Sequence, residues 1–97
     1  MSVPVNEIIY DSDFIKDVRR LPVELQNKLA DLLLILKRDP FDSLLHTKSL
    51  SAPLQGLFSF RITRDYRVGF KFNSSHTIQL LVADRRDKVY KRLHRKF

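Results

Sequence analysis

The sequence contains no cysteine, which excludes a disulfide framework and any thiolate-bound metal. Histidine is scarce too: His46, His76 and His94 are scattered, without the helical spacing of a metal site, so no metal or other cofactor is expected. With only Gly56 and Gly69, the chain has no glycine-rich loop to cradle a phosphate, and no serine is set beside a histidine as a nucleophile. No apolar run approaches the roughly 20 residues that span a bilayer. The start, Met1-Ser2-Val3-Pro4, has neither the basic opening nor the apolar stretch of a secretory leader. A cytoplasmic protein with no membrane role is the expectation. Its 97 residues make a single domain, 1–97, with a thin core.

Charge is abundant but lopsided. Residues 1–60 carry 7 Lys/Arg against 8 Asp/Glu, whereas residues 61–97 carry 11 Lys/Arg against 3 Asp, so the net +7 arises in the C-terminal third. A field of that kind attracts phosphate backbones or an acidic protein. For the basic end, residues 85–97, a solvated tail is explanation enough. Five of the 11 cations nevertheless precede Arg86, inside patterned sequence that a tail does not account for.

The hydrophobic pattern predicts an α+β domain of order β-α-α-β-β-β. Val3, Val5, Ile8, Ile9 and Tyr10 read as a first strand. Asp11-Ser12-Asp13 supplies N-cap candidates for a short helix whose stripe is Phe14, Val18 and Leu21. Pro22 opens a second helix, with Leu25, Leu29, Leu32, Leu33 and Leu36 on one face, Lys37-Arg38 at its end and Asp39-Pro40 as its stop. So short a link predicts an antiparallel helical hairpin. Residues 41–55 read as loop. Three strands follow, with Phe58, Phe60 and Ile62, then Tyr66, Val68, Phe70 and Phe72, then Ile78, Leu80 and Val82 as their apolar rows. Val89, Leu93 and Phe97 mark a C-terminal helical segment.

Side-chain parity then fixes a register. Arg61 opposes Arg67, with Phe60 against Val68 and Phe58 against Phe70; Phe72 against Ile78 further sets Phe70 against Leu80 and Val68 against Val82. The expected antiparallel sheet has an apolar face under the helical hairpin, its core drawn from Phe14, Val18, Leu25, Leu29, Leu32, Leu36, Phe60, Val68, Phe70, Leu80 and Val82. The other face is polar and exposed, carrying Ser59, Arg61, Thr63, Arg67, Lys71 and Gln79, and Arg85 by the same parity. Opposed arginines repel by about 0.2–1 kcal/mol. The only nearby acid, Asp65, belongs to the turn. Either both side chains are simply solvated, or an anion arrives from outside, and a guanidinium fork matches phosphate oxygens. Tyr90 beside them is either a base-stacking residue or partial core.

Several stretches resemble one family together. Phe14-Ile15-Lys16-Asp17 leading to Arg20-Leu21-Pro22, and the Asp39-Pro40 stop, are similar to the helices of RelE/ParE toxins. Lys48-Ser49-Leu50, then Leu54-Gln55-Gly56-Leu57-Phe58-Ser59-Phe60-Arg61-Ile62-Thr63-Arg64-Asp65-Tyr66-Arg67-Val68, follows that family's most specific signature, and Asp84-Arg85-Arg86-Asp87-Lys88-Val89-Tyr90 its ending. The resemblance implies a type II toxin that cuts mRNA in the ribosomal A site by attack of the 2′-hydroxyl on its own phosphate, without a metal. It also implies an acidic cognate antitoxin as partner. Arg67 is then the transition-state stabiliser, Arg61 a second strand cation, and Lys48 stands where relatives carry a carboxylate base. Arg85 and Tyr90 match the terminal Arg and Tyr, while Arg64, Lys71, Arg86 and Lys88 are expected RNA contacts. Asp84 replaces the histidine of many relatives, so Arg85, Tyr90 and His94 are the candidate proton donors. A gyrase-inhibiting toxin on the same fold, or an inactive relative, is the alternative.

Overall fold

The computed structural model describes residues 5–97. Their order is β1 (Glu7–Tyr10), α1 (Ser12–Arg20), α2 (Val23–Arg38), a single 3-10 turn (Ser43–Leu45), β2 (Lys48–Ser49), β3 (Leu57–Arg61), β4 (Tyr66–Ser74), β5 (Thr77–Arg85) and α3 (Arg86–Lys96). The expected α+β order is present, with one strand added inside the presumed loop. Val5 precedes β1 and is exposed. Val3, also assigned to the first strand, lies outside the described residues.

Local chemistry sets the helix ends. The Asp11 carboxylate caps α1 by accepting a hydrogen bond from the Asp13 amide at 2.9 Å. Pro22 is the N-cap of α2, and the Gln26 side chain donates to the carbonyls of Val18 (2.7 Å) and Leu21 (3.1 Å), satisfying the frayed end of α1. Asp87 in the first turn of α3 and His94, Arg95 and Lys96 in its last complement the helix dipole.

The five strands form one sheet in the order β1-β5-β4-β3-β2. All neighbours are antiparallel except β1 and β5, which run parallel, so the sheet is mixed rather than wholly antiparallel. The β3–β4 register is the expected one, with Arg61 opposite Arg67, Phe60 opposite Val68 and Phe58 opposite Phe70. Between β4 and β5 the expectation holds at Phe72–Ile78 and Phe70–Leu80 and then breaks: Gly69 faces Val82 and Val68 faces Ala83. Leu81 is the extra residue of a β-bulge, and every side chain beyond it changes face.

The two faces carry separate cores. Phe14, Leu21, Leu29, Leu32 and Leu36 of the helical hairpin pack on Phe60, Ile62, Val68, Phe70, Ile78, Leu80 and Ala83. Val18 and Leu25, expected at full depth, are partly buried at its margin. Val82, also expected there, belongs to the opposite cluster with Leu50, Leu57, Leu81, Val89 and Leu93, because the bulge turned it over. That second cluster exists because α3 lies across the face predicted to be exposed. Gly69 lets the helix approach: a Cβ at that position would lie 2.8 Å from Leu93 Cδ1. Phe97, the third residue of the expected helical stripe, is exposed.

Candidate anion site beneath the C-terminal helix

On the α3 side of β3 and β4 the expected polar row is present, but much of it is buried. Ser59 is fully buried and Arg67 keeps only 6% of its surface exposed, while Arg61 is half-buried. Among the described residues the Arg67 guanidinium meets one partner, the Ser59 hydroxyl, at a long 3.5 Å. Its Nε–H and that of Arg61 are buried with no hydrogen-bond partner among those residues. Burial holds the Arg67 pKa below the ordinary arginine value; Tyr90 opposes this shift, and the neighbouring charges of Arg61 and Arg86 add to it.

Buried cations in proteins are paired or neutralised, because an isolated charge in a low-dielectric site costs several kcal/mol, on the order of the whole stability of a small domain. Among the described residues Arg67 has no carboxylate partner. The residue opposite it in register is an acid: Asp84 on β5, brought there by the bulge. Yet the Asp84 carboxylate bonds elsewhere, to its neighbour's backbone at Arg85 N (2.7 Å) and to Arg92 Nη1 on α3 (3.1 Å). The same Arg92 nitrogen bonds Asp17 of α1 at 2.8 Å, and Asp17 in turn accepts the Ala83 amide at 2.9 Å. A second bridge joins Lys96 to Asp13 (2.6 Å) and Asp11 (3.2 Å). The carboxylates of α1 and β5 thus fasten α3, and the two arginines beneath it are left with donors to spare.

Tyr90 borders two clefts. A cleft of about 650 Å³ is lined by Asp65, Tyr66, Arg85, Arg86, Asp87 and Tyr90. A second, of about 350 Å³, lies between Tyr90 and the segment Lys48–Leu54. Lys48, in β2, pairs across to Ser59 and is exposed, so it shares the face of Arg61 and Arg67 at the sheet's far edge. The region brings together two largely sheltered guanidinium groups, the Tyr90 side chain and further cations at the edges of the two clefts. Donors of that kind could bind a phosphate group.

No family model matches the sequence, and no curated protein is similar to it. Solved structures are similar in fold. A YoeB/ParE toxin from Agrobacterium tumefaciens superposes with a TM-score of 0.72 at 22% identity, covering 81% of this chain and 96% of that one. A chain of the RelBE2 toxin–antitoxin complex from Mycobacterium tuberculosis gives 0.71 at 24%, covering 84% and 99%. YafQ from E. coli gives 0.70 at 20%, covering 88% and 98%. This chain has the RelE/ParE toxin fold.

Within that RelE/ParE fold the expected site residues are only partly gathered. Arg61, Tyr90 and Arg86 all lie close enough to Arg67 to act on its charge. Arg85 pairs with Tyr66 and so does not share the face of Arg67, contrary to the parity argument; it reaches the larger cleft from the end of β5 instead. Arg64 is exposed in the β3–β4 turn. Lys71 is drawn to the end of α3, its ammonium 5.3 Å from the centre of the Phe97 ring, and Lys88 is exposed on α3; neither lines the two clefts. His94 is exposed and lines neither. Ser59, Asp17 and Arg92 are the residues whose importance the sequence hid. The one signal available was an acid, Asp17, one turn past Asp13 and just before Val18 of the apolar stripe. Among the described residues no three His, Asp or Glu side chains converge as metal ligands.

Proposed function

We propose that this chain is the toxin of a type II toxin–antitoxin system and a metal-independent endoribonuclease that cleaves mRNA on the ribosome. The observation that carries the reading is the buried guanidinium of Arg67 beside Arg61, without a carboxylate partner among the described residues and close to Tyr90, which lines a cleft of about 650 Å³. In the proposed reaction the 2′-oxygen bonds to phosphorus, the bond to the 5′-oxygen breaks, and the products are a 2′,3′-cyclic phosphate and a 5′-hydroxyl. Arg67 and Arg61 take up the charge that builds on the non-bridging oxygens. Lys48 serves the 2′-hydroxyl side and Tyr90 the leaving 5′-oxygen, since Tyr90 borders both clefts. Arg85 and Arg86 hold the flanking backbone. The basic C-terminal third also fits an acidic antitoxin that covers the site, and several similar structures are toxin–antitoxin complexes, among them the archaeal RelE-RelB complex from Pyrococcus horikoshii OT3.

The test is single-turnover cleavage of mRNA on programmed ribosomes, with product ends identified, beside a gyrase supercoiling assay. Arg67→Ala is expected to lower the cleavage rate about 100- to 1,000-fold, the usual loss for one transition-state donor. Lys48→Ala and Arg61→Ala lower it less, and chelators leave it unchanged. Gyrase inhibition without RNA cleavage replaces this reading with that of a gyrase poison. Cleavage undiminished in Arg67→Ala refutes the site.

A further inference from the structure

Arg67 faces an acid across the strands that is bonded elsewhere. Directly opposed residues on antiparallel strands bring their Cβ atoms to about 4.5–5.5 Å, within easy reach of an ion pair. Asp84 and Arg67 are such a pair, on the same face of the sheet. Left alone, a carboxylate in that position would close on the buried guanidinium, satisfy its donors and exclude an incoming phosphate. It does not: the Arg85 amide donates to one Asp84 oxygen at 2.7 Å, and Arg92 reaches down from α3 to donate to the other at 3.1 Å, with the same guanidinium nitrogen anchored on Asp17 at 2.8 Å. Burial alone would weaken the charge on Arg92, but its hydrogen bonds and attraction to Asp17 and then Asp84 outweigh that and keep its pKa above the ordinary value. Asp17 is itself nearly inaccessible and fixed by the Ala83 amide, so the anchor does not drift.

We propose that Arg92 is a positioning residue that sequesters the Asp84 carboxylate and so keeps the Arg67–Arg61 pair open to a phosphate. The proposal rests on the phosphate-binding reading of that pair, and it makes α3 more than a cover. Its ion bridge holds the carboxylate that faces Arg67 across the two strands. Withdrawing the Arg92 contact would convert the site to a self-paired, closed state with no change in its floor.

The Arg67 Nε–H resonance, followed by proton–nitrogen NMR, reads this directly. In Arg92→Gln that resonance is expected to move to the position of a carboxylate-bonded guanidinium before any ligand is added. The apparent affinity for inorganic phosphate should fall about tenfold, as expected when the competent state becomes the minor one. Asp84→Asn added to Arg92→Gln should return both readings to within about twofold of the parent. A role confined to fastening α3 gives no such rescue. Because Arg92→Gln strands the buried Asp17 charge, Asp17→Asn/Arg92→Gln is measured in parallel. The amide at position 17 still accepts from the Ala83 N–H, so the fold is kept while Asp84 is freed, and the same closure is expected. An Arg67 resonance unchanged in both Arg92 variants, or a closure that removal of the Asp84 charge does not reverse, overturns the proposal. Phosphate that leaves the parent Arg67 signal unmoved refutes the phosphate reading instead, while the ligand-free spectra still decide the role of Arg92.

Discussion

The two faces of the sheet are built on opposite terms. Under the α1–α2 hairpin the contact is mainly apolar, with Leu36, Phe60, Val68, Phe70, Ile78 and Leu80 wholly inaccessible and Asp17 the buried acid at its α1 side. Under α3 six aliphatic residues share the space with Ser59 and two arginines, and ion bridges fasten the helix at its side and end. One face supplies stability by burial. The other gives some of it up to keep charge out of water, a trade that functional sites commonly make.

That division can be broken, most strongly at Leu29. Truncation to alanine there should cost about 2–5 kcal/mol in denaturant unfolding, a large share of a small domain's stability. A loss no greater than that of a cut on the α3 side would mean the faces are not so different. Gly69→Ala acts on the second face. The new methyl would meet Leu93 at 2.8 Å and Val82 at 3.2 Å, both packed in the interior. The expected cost is about 1–3 kcal/mol, with greater hydrogen exchange confined to α3 and its contacts. Exchange spread equally over α1 and α2 would show the cores to be one.

Arg67→Met should do the reverse of both and raise stability by about 1 kcal/mol while removing function, because it replaces an unpaired buried cation with apolar volume. A melting temperature that falls instead would mean that the cation is satisfied by the fold. The smallest effect belongs to the Lys96 bridges. The hydrogen bond and then the attraction to Lys96 hold Asp13 below its ordinary 3.8, and the bond to Asp13 does most to hold Lys96 above 10.5. The Asp13 contribution is therefore complete above pH 3.8 and disappears as the pH falls through its lower folded value. The Lys96 contribution is complete below pH 10.5 and disappears as the pH rises through its higher folded value. The difference in melting temperature between the parent and Lys96→Ala should be flat between those limits, shrink beyond them and diminish with salt.

What the sequence made legible follows the same division. The hairpin and the β3–β4 register could be read because apolar and polar residues alternate cleanly from Phe58 to Phe72, and a one-residue slip would have mixed the faces. The second half of β5 could not: Leu80-Leu81-Val82-Ala83 is apolar at every position, so parity carries no information there, and the bulge was invisible. β2 is two residues long in a serine-rich stretch and has no period to detect. α3 offers only Val89 and Leu93 as buried anchors among lysines and arginines, a pattern shared with solvated tails. The arginine pair was therefore found, and its burial was not. The acid that borders it was hidden by the same bulge.

That bulge makes the identity of Arg67's neighbour a matter of counting. If the ladder ran on from Phe70–Leu80 without the bulge, Leu81 would face Gly69, Val82 would face Val68 and Ala83 would face Arg67, so a methyl would stand where the restrained acid does and Asp84 would turn to the hairpin face opposite Tyr66. A one-residue shift of register in this short stretch thus exchanges an acid for a neutral side chain beside Arg67 without altering a single residue of β3 or β4. A sheet can change the charge next to a fixed arginine through its register alone.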